Sequence, residues 1–346
     1  MQFSKHKTIS VEEFRCGVGV VANSVAIVMA TYNGAAYIKE QMESIKQQTF
    51  ADWKLFVRDD GSSDATLDLL ESFAETDSRI IILKDDFGAQ KSAKLNFAIL
   101  AQEVFERGFC YLFFADQDDI WVENKLATMI IRMQQFEIDS PGGVPAIVYS
   151  DLIVVDEGNT ALSESFLHFQ GIQHEEVSVL SVLLAQNFVT GCALMVNRSL
   201  LKLALPFPNE MIMHDWWLAL CAAASGRIIF IKEPLVRYRQ HESNNVGAKG
   251  FWSLWNPFDQ NLFLRWTKGK NAFINTVEQA KALRLWLKNL DGMSSIQISS
   301  VQQKVDAYAD ILKLPPFARL FSLKKHGIRR QNMLTNIALK LRVFFM

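Results

Sequence analysis

Apolar residues along this chain fall into short runs separated by polar, turn-forming clusters, and the period within each run predicts an element. Val25 to Met29 (VAIVM) is a β-branched run that predicts a buried strand, and Ala30-Thr31-Tyr32-Asn33-Gly34 closes it with an Asn-Gly turn. From Ala35 to Gln48 the residues Ile38, Met42 and Ile45 share one helical face. Trp53 to Val57 predicts a second strand, ending at Arg58-Asp59-Asp60-Gly61-Ser62-Ser63-Asp64, where Asp64 is a candidate N-cap for a helix carrying Leu67, Leu70 and Phe73. A third strand is predicted over Ile80 to Leu83, a helix near Lys91 to Phe105, and a fourth strand over Tyr111 to Ala115 that runs directly into Asp116-Gln117-Asp118-Asp119. Pro145 to Ser150, Asp151 to Asp156 and Gly191 to Val196 also read as strands. A helix opens at His214-Asp215-Trp216-Trp217, and the runs RIIFI and PLVRYRQH form a further strand pair ending at His241.

Strand and helix thus alternate at least four times, which predicts an α/β fold: a mostly parallel sheet flanked by helices. Ligands of such sheets bind outside the carboxyl ends of the strands. The polar clusters after the first, second and fourth strands mark that edge.

With 346 residues, 49% of them hydrophobic and only 17 Gly and 8 Pro, the chain has ample material for a core and no low-complexity segment. Cys16, Cys110, Cys192 and Cys221 show no metal-binding spacing and read as buried thiols of a reducing compartment. The N-terminal segment carries acidic residues where a signal peptide needs an apolar run, so a cytoplasmic location is expected. Val177 to Val196 is free of charge over the length of a membrane span, but its polar residues and flanks favour a core helix followed by a strand. The net charge of −1 hides a split: residues 1–248 hold 20 Lys/Arg and 32 Asp/Glu, and residues 249–346 hold 16 and 5. The two parts face different partners.

Asp116, Asp118 and Asp119 place three carboxylates in four residues, and such a cluster needs a compensating charge. Mg²⁺ or Mn²⁺ suits it, since hard cations prefer oxygen and commonly bridge carboxylates to substrate phosphates. Asp59 and Asp60 form a second acidic strand end, able to accept from a pyrimidine N–H or from ribose hydroxyls, and Gly61 permits a close backbone approach. Taken singly, each cluster is most often only a solvated turn.

The motifs Ala30-Thr31-Tyr32-Asn33-Gly34, Asp59-Asp60-Gly61-Ser62-Ser63-Asp64 and Asp116-x-Asp118-Asp119, in that order, resemble those of family 2 glycosyltransferases of the GT-A fold. The resemblance extends from about Ser24 to Gly247 and divides the chain into an N-terminal extension (1–23), a catalytic domain (24–247) and a basic, aromatic-rich helical region (248–346). It implies an inverting transfer from a nucleotide-diphosphate sugar donor with a divalent metal. Donor-binding positions map to Thr31, Asn33, Asp59, Asp60, Lys94, Asn96 and Asp116, and metal ligands to Asp116, Asp118 and His241. Asp215 matches the catalytic base, with His214 where the family usually has Glu. Gly191, His214, Trp216 and Trp217 map to the acceptor and sugar pocket, where an aromatic face suits the C–H surface of a sugar ring. The wording of Ala115 to Trp121, His-Asp-Trp-Trp and Tyr-Arg-Gln-His is similar to that of bacterial rhamnosyltransferases of surface polysaccharides, which implies dTDP-L-rhamnose as donor, with a UDP-hexose as the alternative, and a glycan or lipid-linked saccharide as acceptor.

After Asp310 no acidic residue remains, while Arg319, Lys324, Lys325, Arg329, Arg330, Lys340 and Arg342 follow. Leu334, Ile337, Ala338, Leu341 and Phe345 form a helical apolar stripe beside these charges, able either to lie on an anionic membrane or to pack on the catalytic part. Phe251, Trp252, Trp255, Phe258, Phe263 and Trp266 add an aromatic cluster suited to either role. No nucleic-acid recognition motif accompanies the basic charge. Gly17-Val18-Gly19-Val20-Val21-Ala22 fits a dinucleotide fingerprint formally, yet it leads into a strand where a helix is required. A nucleotidyltransferase would need a Gly-rich basic loop after the first strand. An inactive carbohydrate-binding or assembly protein would not need a competent residue at every catalytic position.

Overall fold

Val25 to Met29, fully buried, alternate between two apolar cores, because successive side chains of a strand point to opposite faces. A strand covered on both sides must be apolar throughout, which is why VAIVM lacks the polar alternation of a surface strand. The structure is a computed structural model and describes residues 25–84, 88–90, 92–241, 262–290 and 295–346; of 262–265 and 295–298 only the backbone is described. The N-terminal extension with its Gly17–Ala22 motif and Cys16, the 247/248 boundary, residues 251–258 and the Phe263 side chain lie outside the described residues.

The first half alternates β1 (Val25–Thr31), α1 (Ile38–Lys46), β2 (Trp53–Asp59), α2 (Thr66–Thr76), β3 (Ile80–Ile82), α3 (Ala93–Glu106) and β4 (Tyr111–Ala115). Asp64 lies one residue before the N-cap of α2, where it accepts from the Thr66 N–H at 3.1 Å and, through its other oxygen, from Ala35 N–H at 3.1 Å. The second half comprises β5 (Ile120–Trp121), α4 (Lys125–Asp139), β6 (Ala146–Val155), β7 (Ala161–Ser163), α5 (Phe166–Gln170), α6 (Val179–Leu183), β8 (Leu194–Asn197), α7 (Arg198–Ala204), α8 (His214–Ser225) and β9 (Arg227–Arg239). Among the described residues four helices follow: α9 (Leu262–Lys288), α10 (Ser295–Ala309), α11 (Pro316–Lys325) and α12 (Met333–Phe345).

The strands form one nine-stranded sheet in the order β3-β2-β1-β4-β8-β6-β9-β5, with β7 paired to β6. Strands β1, β2, β3, β4, β6 and β9 share one direction, while β8, β5 and β7 oppose it. Strand β8 runs backwards because the chain leaves β6 at the carboxyl edge and re-enters from that edge, without the crossover a parallel neighbour requires. The two runs Pro145–Ser150 and Asp151–Asp156 are a single strand, and so are RIIFI and PLVRYRQH. A register shift where β6 passes Pro234 of β9 breaks the apolar pattern of both. Asp151 holds that irregularity by accepting from Leu152, Phe166 and Leu167 N–H groups at 2.9–3.2 Å.

One face of the sheet is covered by α1, α2 and α4, and the other by α3 and α6 to α8 together with residues of α9, α10 and α12. The uncharged Val177–Val196 stretch resolves into α6, a loop, a 3-10 turn at Gly191–Ala193 and most of β8. No helix among the described residues is long and apolar enough to cross a membrane. Cys110, Cys192 and Cys221 are buried.

Candidate active site

The carboxyl ends of β1 and β2 are knotted together by their own polar residues. Thr31 Oγ1 donates to Asp59 Oδ1 at 2.8 Å, and Asp59 also accepts from the Gly61 and Ser62 N–H groups at 3.0 and 2.8 Å. Asn33, at φ 47°, donates its N–H to Ser62 Oγ and accepts from Ser63 N–H, both at 2.8 Å. Gly61, at φ 83°, supplies the left-handed turn between them. Asp60 is buried, lies 3.6 Å from the Arg58 guanidinium and accepts from the Gln90 and Ser92 N–H groups. These acids shape a platform, with most of their oxygens committed to it.

Two sequence-derived donor contacts are placed differently. Asn96 is 2% exposed, and its carbonyl accepts from Arg58 while its amide donates to Ser92 O at 3.1 Å, so it braces the platform from beneath. Lys94 donates to the carbonyls of Asn209 and Met211 at 3.1 and 3.2 Å, tying α3 to the loop before α8. Helical periodicity shows which face a residue occupies but not which loop folds over it.

At the end of β4 the three acids part ways. Asp118 Oδ2 lies 2.8 Å from His241 Nε2, and the imidazole stacks on Tyr37 with ring centroids 4.6 Å apart. Asp119 is fully buried, accepts from Arg239 N–H at 3.2 Å and has the Cys192 thiol beside its carboxylate. Burial, with the charges of Asp118 and Asp116, holds the Asp119 carboxyl well above the usual range. Asp116 is pushed up to about 7 by burial and then by the charges of Asp118 and Asp215. Against these stands Lys125, fully buried, its ammonium donating to Cys192 O at 2.6 Å and lying 3.4 Å from the Trp121 ring centroid, with its own pKa lowered to about 7 by burial.

Ligand atoms of Asp116, Asp119 and Cys192 lie within 4.8 Å of one another. Burial raises the Cys192 thiol well above its ordinary value, so it stays protonated and soft, a poor partner for a hard cation. Asp116, Asp118 and His241 instead offer oxygens and an imidazole at the sheet edge, where the Asp118 charge helps to raise Asp116. Carboxylate oxygens suit Mg²⁺ or Mn²⁺, and those of Asp116 and Asp119 already lie within 4.8 Å of each other.

Across the edge, α8 begins at His214 and places Asp215 in its first turn. A helix N-terminus favours a carboxylate, yet burial prevails and raises Asp215 to about 7 despite hydrogen bonds from the Trp216 and Gly191 backbones and the Asn187 side chain. His214 is wedged between Phe97 and Phe114, with centroids 4.2 and 4.5 Å away, and neither nitrogen has a hydrogen-bond partner among the described residues. Burial lowers its pKa to about 3, so the ring is neutral. A Cβ on Gly191 would lie 2.9 Å from His214 Nε2 and 3.5 Å from Asp215 Oδ2, so only glycine lets this turn close over the pair.

Trp217 does not line the pocket: it is 1% exposed, with its indole donating to Ala204 O at 3.1 Å and Trp286 edge-on to it. Trp216 is partly buried and donates to Leu183 O at 2.6 Å. Gln117 escaped the sequence reading although it stands inside the acidic motif. Its amide accepts from Tyr32 N–H at 2.9 Å and donates to Tyr32 O at 3.1 Å, and it occupies the space a Cβ on Gly34 would take. Arg239 was also missed. It is buried, donates to Asp118 O at 3.0 Å and pairs with Glu40 at 2.7 Å.

A largely parallel sheet whose β1, β2 and β4 ends carry these polar motifs, completed by an acid at a later helix start, has the GT-A glycosyltransferase architecture. The model of Glycosyl transferase family 2 matches residues 26–199, half of the chain, and the protein belongs to that family and is a glycosyltransferase. The chain is 28% identical over 233 residues to the dTDP-rhamnosyl transferase RfbG of Shigella flexneri, covering 64% of this chain and 74% of that protein. It is 29% identical over 239 residues to the UDP-Glc:alpha-D-GlcNAc-diphosphoundecaprenol beta-1,3-glucosyltransferase WfgD of Escherichia coli, covering 68% and 84%. The fold is similar to that of S. aureus TarS, with a TM-score of 0.52 at 13% identity over 83% of this chain, which spans 43% of TarS. It is also similar to that of the mannosyltransferase PcManGT from Pyrobaculum calidifontis in complex with GDP-Man and Mn²⁺, with a TM-score of 0.51 at 16% identity over 94% and 82% of the two chains.

Proposed function

We propose that this glycosyltransferase moves a sugar, with inversion, from a nucleotide-diphosphate donor to a hydroxyl of a glycan or lipid-linked saccharide in bacterial surface polysaccharide synthesis. The observation that carries this reading is the turn before β8, which meets both sets of acids: a Cβ on Gly191 would lie 3.5 Å from Asp215 Oδ2, and the sulfur of the next residue, Cys192, lies within 4.8 Å of carboxylate oxygens of Asp116 and Asp119. The nucleoside rests on the platform braced by Thr31, Asn33, Asp59, Asp60 and Asn96. Asp116, Asp118 and His241 would hold Mg²⁺ or Mn²⁺, and a cation there supplies positive charge for the diphosphate. The acceptor oxygen attacks the anomeric carbon, the bond from that carbon to the diphosphate oxygen breaks, and Asp215 takes the hydroxyl proton. A carboxyl with a pKa near 7 is a stronger base than an ordinary aspartate and still ionises at neutral pH. Gly191 and His214 shape the acceptor side, where the neutral imidazole adds no charge beside the base. Residues 25–241 carry this chemistry, and the basic helices α9 to α12 follow them.

RfbG, a dTDP-rhamnosyl transferase by name, supports dTDP-L-rhamnose as donor, and WfgD, which is named for UDP-Glc, supports a UDP-hexose as the second choice. Donor turnover with dTDP-L-rhamnose, UDP-glucose, UDP-GlcNAc and GDP-mannose, each with Mg²⁺, Mn²⁺ or EDTA, tests the reading. One donor should be consumed faster in the presence of acceptor and only with metal. Turnover of none of them, or turnover unchanged in Asp215→Asn, would overturn it.

A further inference from the structure

The apolar stripe on α12 points outward. Leu339 and Val343 face the core, whereas Met333, Leu334, Ile337, Leu341 and Phe345 are 37–74% exposed. At 100° per residue these five occupy one continuous arc, with exposed Lys340 at its edge. Helix α11 extends the surface: Phe317 and Phe321, one turn apart, are 79% and 68% exposed, and Lys324 and Lys325 follow. The helices are joined by Phe317 against Phe344, 5.2 Å between centroids, and by buried Arg319, which donates to Val343 O at 3.0 Å. A surface of this kind, bordered by lysines on a chain segment carrying 16 Lys/Arg against 5 Asp/Glu, matches an apolar layer beneath a negative one. A 13-residue helix is too short to span a membrane and suited to lying in its interface.

The surface is also connected to the catalytic pocket. Just before α12, Arg330 donates to Ala185 O at 3.2 Å and Gln331 N–H donates to Gln186 Oε1 at 3.0 Å. The next residue, Asn187, hydrogen-bonds Asp215. We propose that the outer face of α11 and α12 docks on an anionic lipid bilayer, which sets the Asp215 side of the pocket at the membrane surface for a lipid-anchored acceptor. The choice of acceptor rests on the transferase reading above, and the docking itself does not.

Flotation of the full-length protein with phosphatidylcholine vesicles, with and without phosphatidylglycerol, tests this. The protein should float with the anionic vesicles and detach as salt rises. The double variant Phe317→Ser/Phe321→Ser should lose roughly 100-fold in partitioning. Lys324→Glu/Lys325→Glu/Lys340→Glu should lose ~10-fold or more on anionic vesicles and little on neutral ones. Ile138→Ser, on the opposite side at α4, should change nothing, and unchanged melting curves establish that the exposed-site variants are folded. Absence of flotation, or flotation equal in wild type and both multiple variants, overturns the proposal. So does a dimer dissolved by the Phe variants in a protein that ignores vesicles. Transfer to a water-soluble acceptor is measured in parallel: its failure counts against the function, while vesicle binding still decides the docking.

Discussion

His241 Nε2 lies 2.8 Å from Asp118 Oδ2, joining the exit of β9 to the end of β4 across 123 positions of sequence. Tyr37 stacked on the imidazole and Arg239 on the Asp118 carbonyl fix both partners, so the pair is held by three separate segments.

If Asp118 and His241 hold the cation, His241→Ala and Asp118→Asn should each weaken Mn²⁺ binding by at least ~10-fold. Titration of free Mn²⁺ by paramagnetic resonance checks this. Without metal, Asp118→Asn should melt no lower than wild type, because the Asp118 charge is one of those that push Asp116 up.

Asp215→Asn should lower transfer by ~10²–10⁴-fold. The pH profile carries the sign. Burial raises the Asp215 pKa to about 7, so below that pH the carboxyl is protonated and cannot accept the hydroxyl proton, and above it the base is available. Wild-type transfer should rise through about pH 7 and then level off. The residual rate of the Asn variant should lack that rise.

Gly191→Ala would force a Cβ to within 2.9 Å of His214 Nε2, and Phe97 and Phe114 leave the ring little room to retreat. Overpacking of this kind costs ~1–3 kcal/mol, read as a lowered melting temperature. Because Asp215 is the next residue, transfer should fall by up to ~100-fold, the scale of a 1 Å misplacement.

Gln117→Glu keeps the size of the side chain but removes the amide N–H that reaches Tyr32 O. It also adds a negative charge between Asp116 and Asp118. Stability should drop by ~1 kcal/mol for the lost hydrogen bond, and the KM for the donor should rise more than kcat falls. Steady-state kinetics over donor concentration separates the two.

The strand ends were legible in the sequence because polar turn clusters interrupt apolar runs, and Tyr111–Ala115 is a strand with the bounds predicted for it. What escaped depends on contacts distant in sequence. Asp151 anchors a register irregularity that splits two long strands into apparent pairs. Trp216 and Trp217 carry the same signal in sequence, yet only Trp217 is sealed in the core. Lys125 reads as an ordinary helix residue, and its burial beneath the acids follows from β4 and the turn before β8 meeting. On α12 the apolar period was plain, but whether the stripe faces inward depends on Leu339 and Val343, which occupy the other side.

Phe273, Val277 and Leu283 of α9, with Val305 and Tyr308 of α10, are buried in the same core as Leu218 and Cys221 of α8. Helix α8 therefore serves as both the mount of the proposed base and the floor on which the C-terminal helices stand. A hybrid enzyme given a foreign tail would have to reproduce that floor side chain by side chain, or its Asp215 would shift with the graft. The proposed acceptor end and the C-terminal helices are thus free to diverge only in concert.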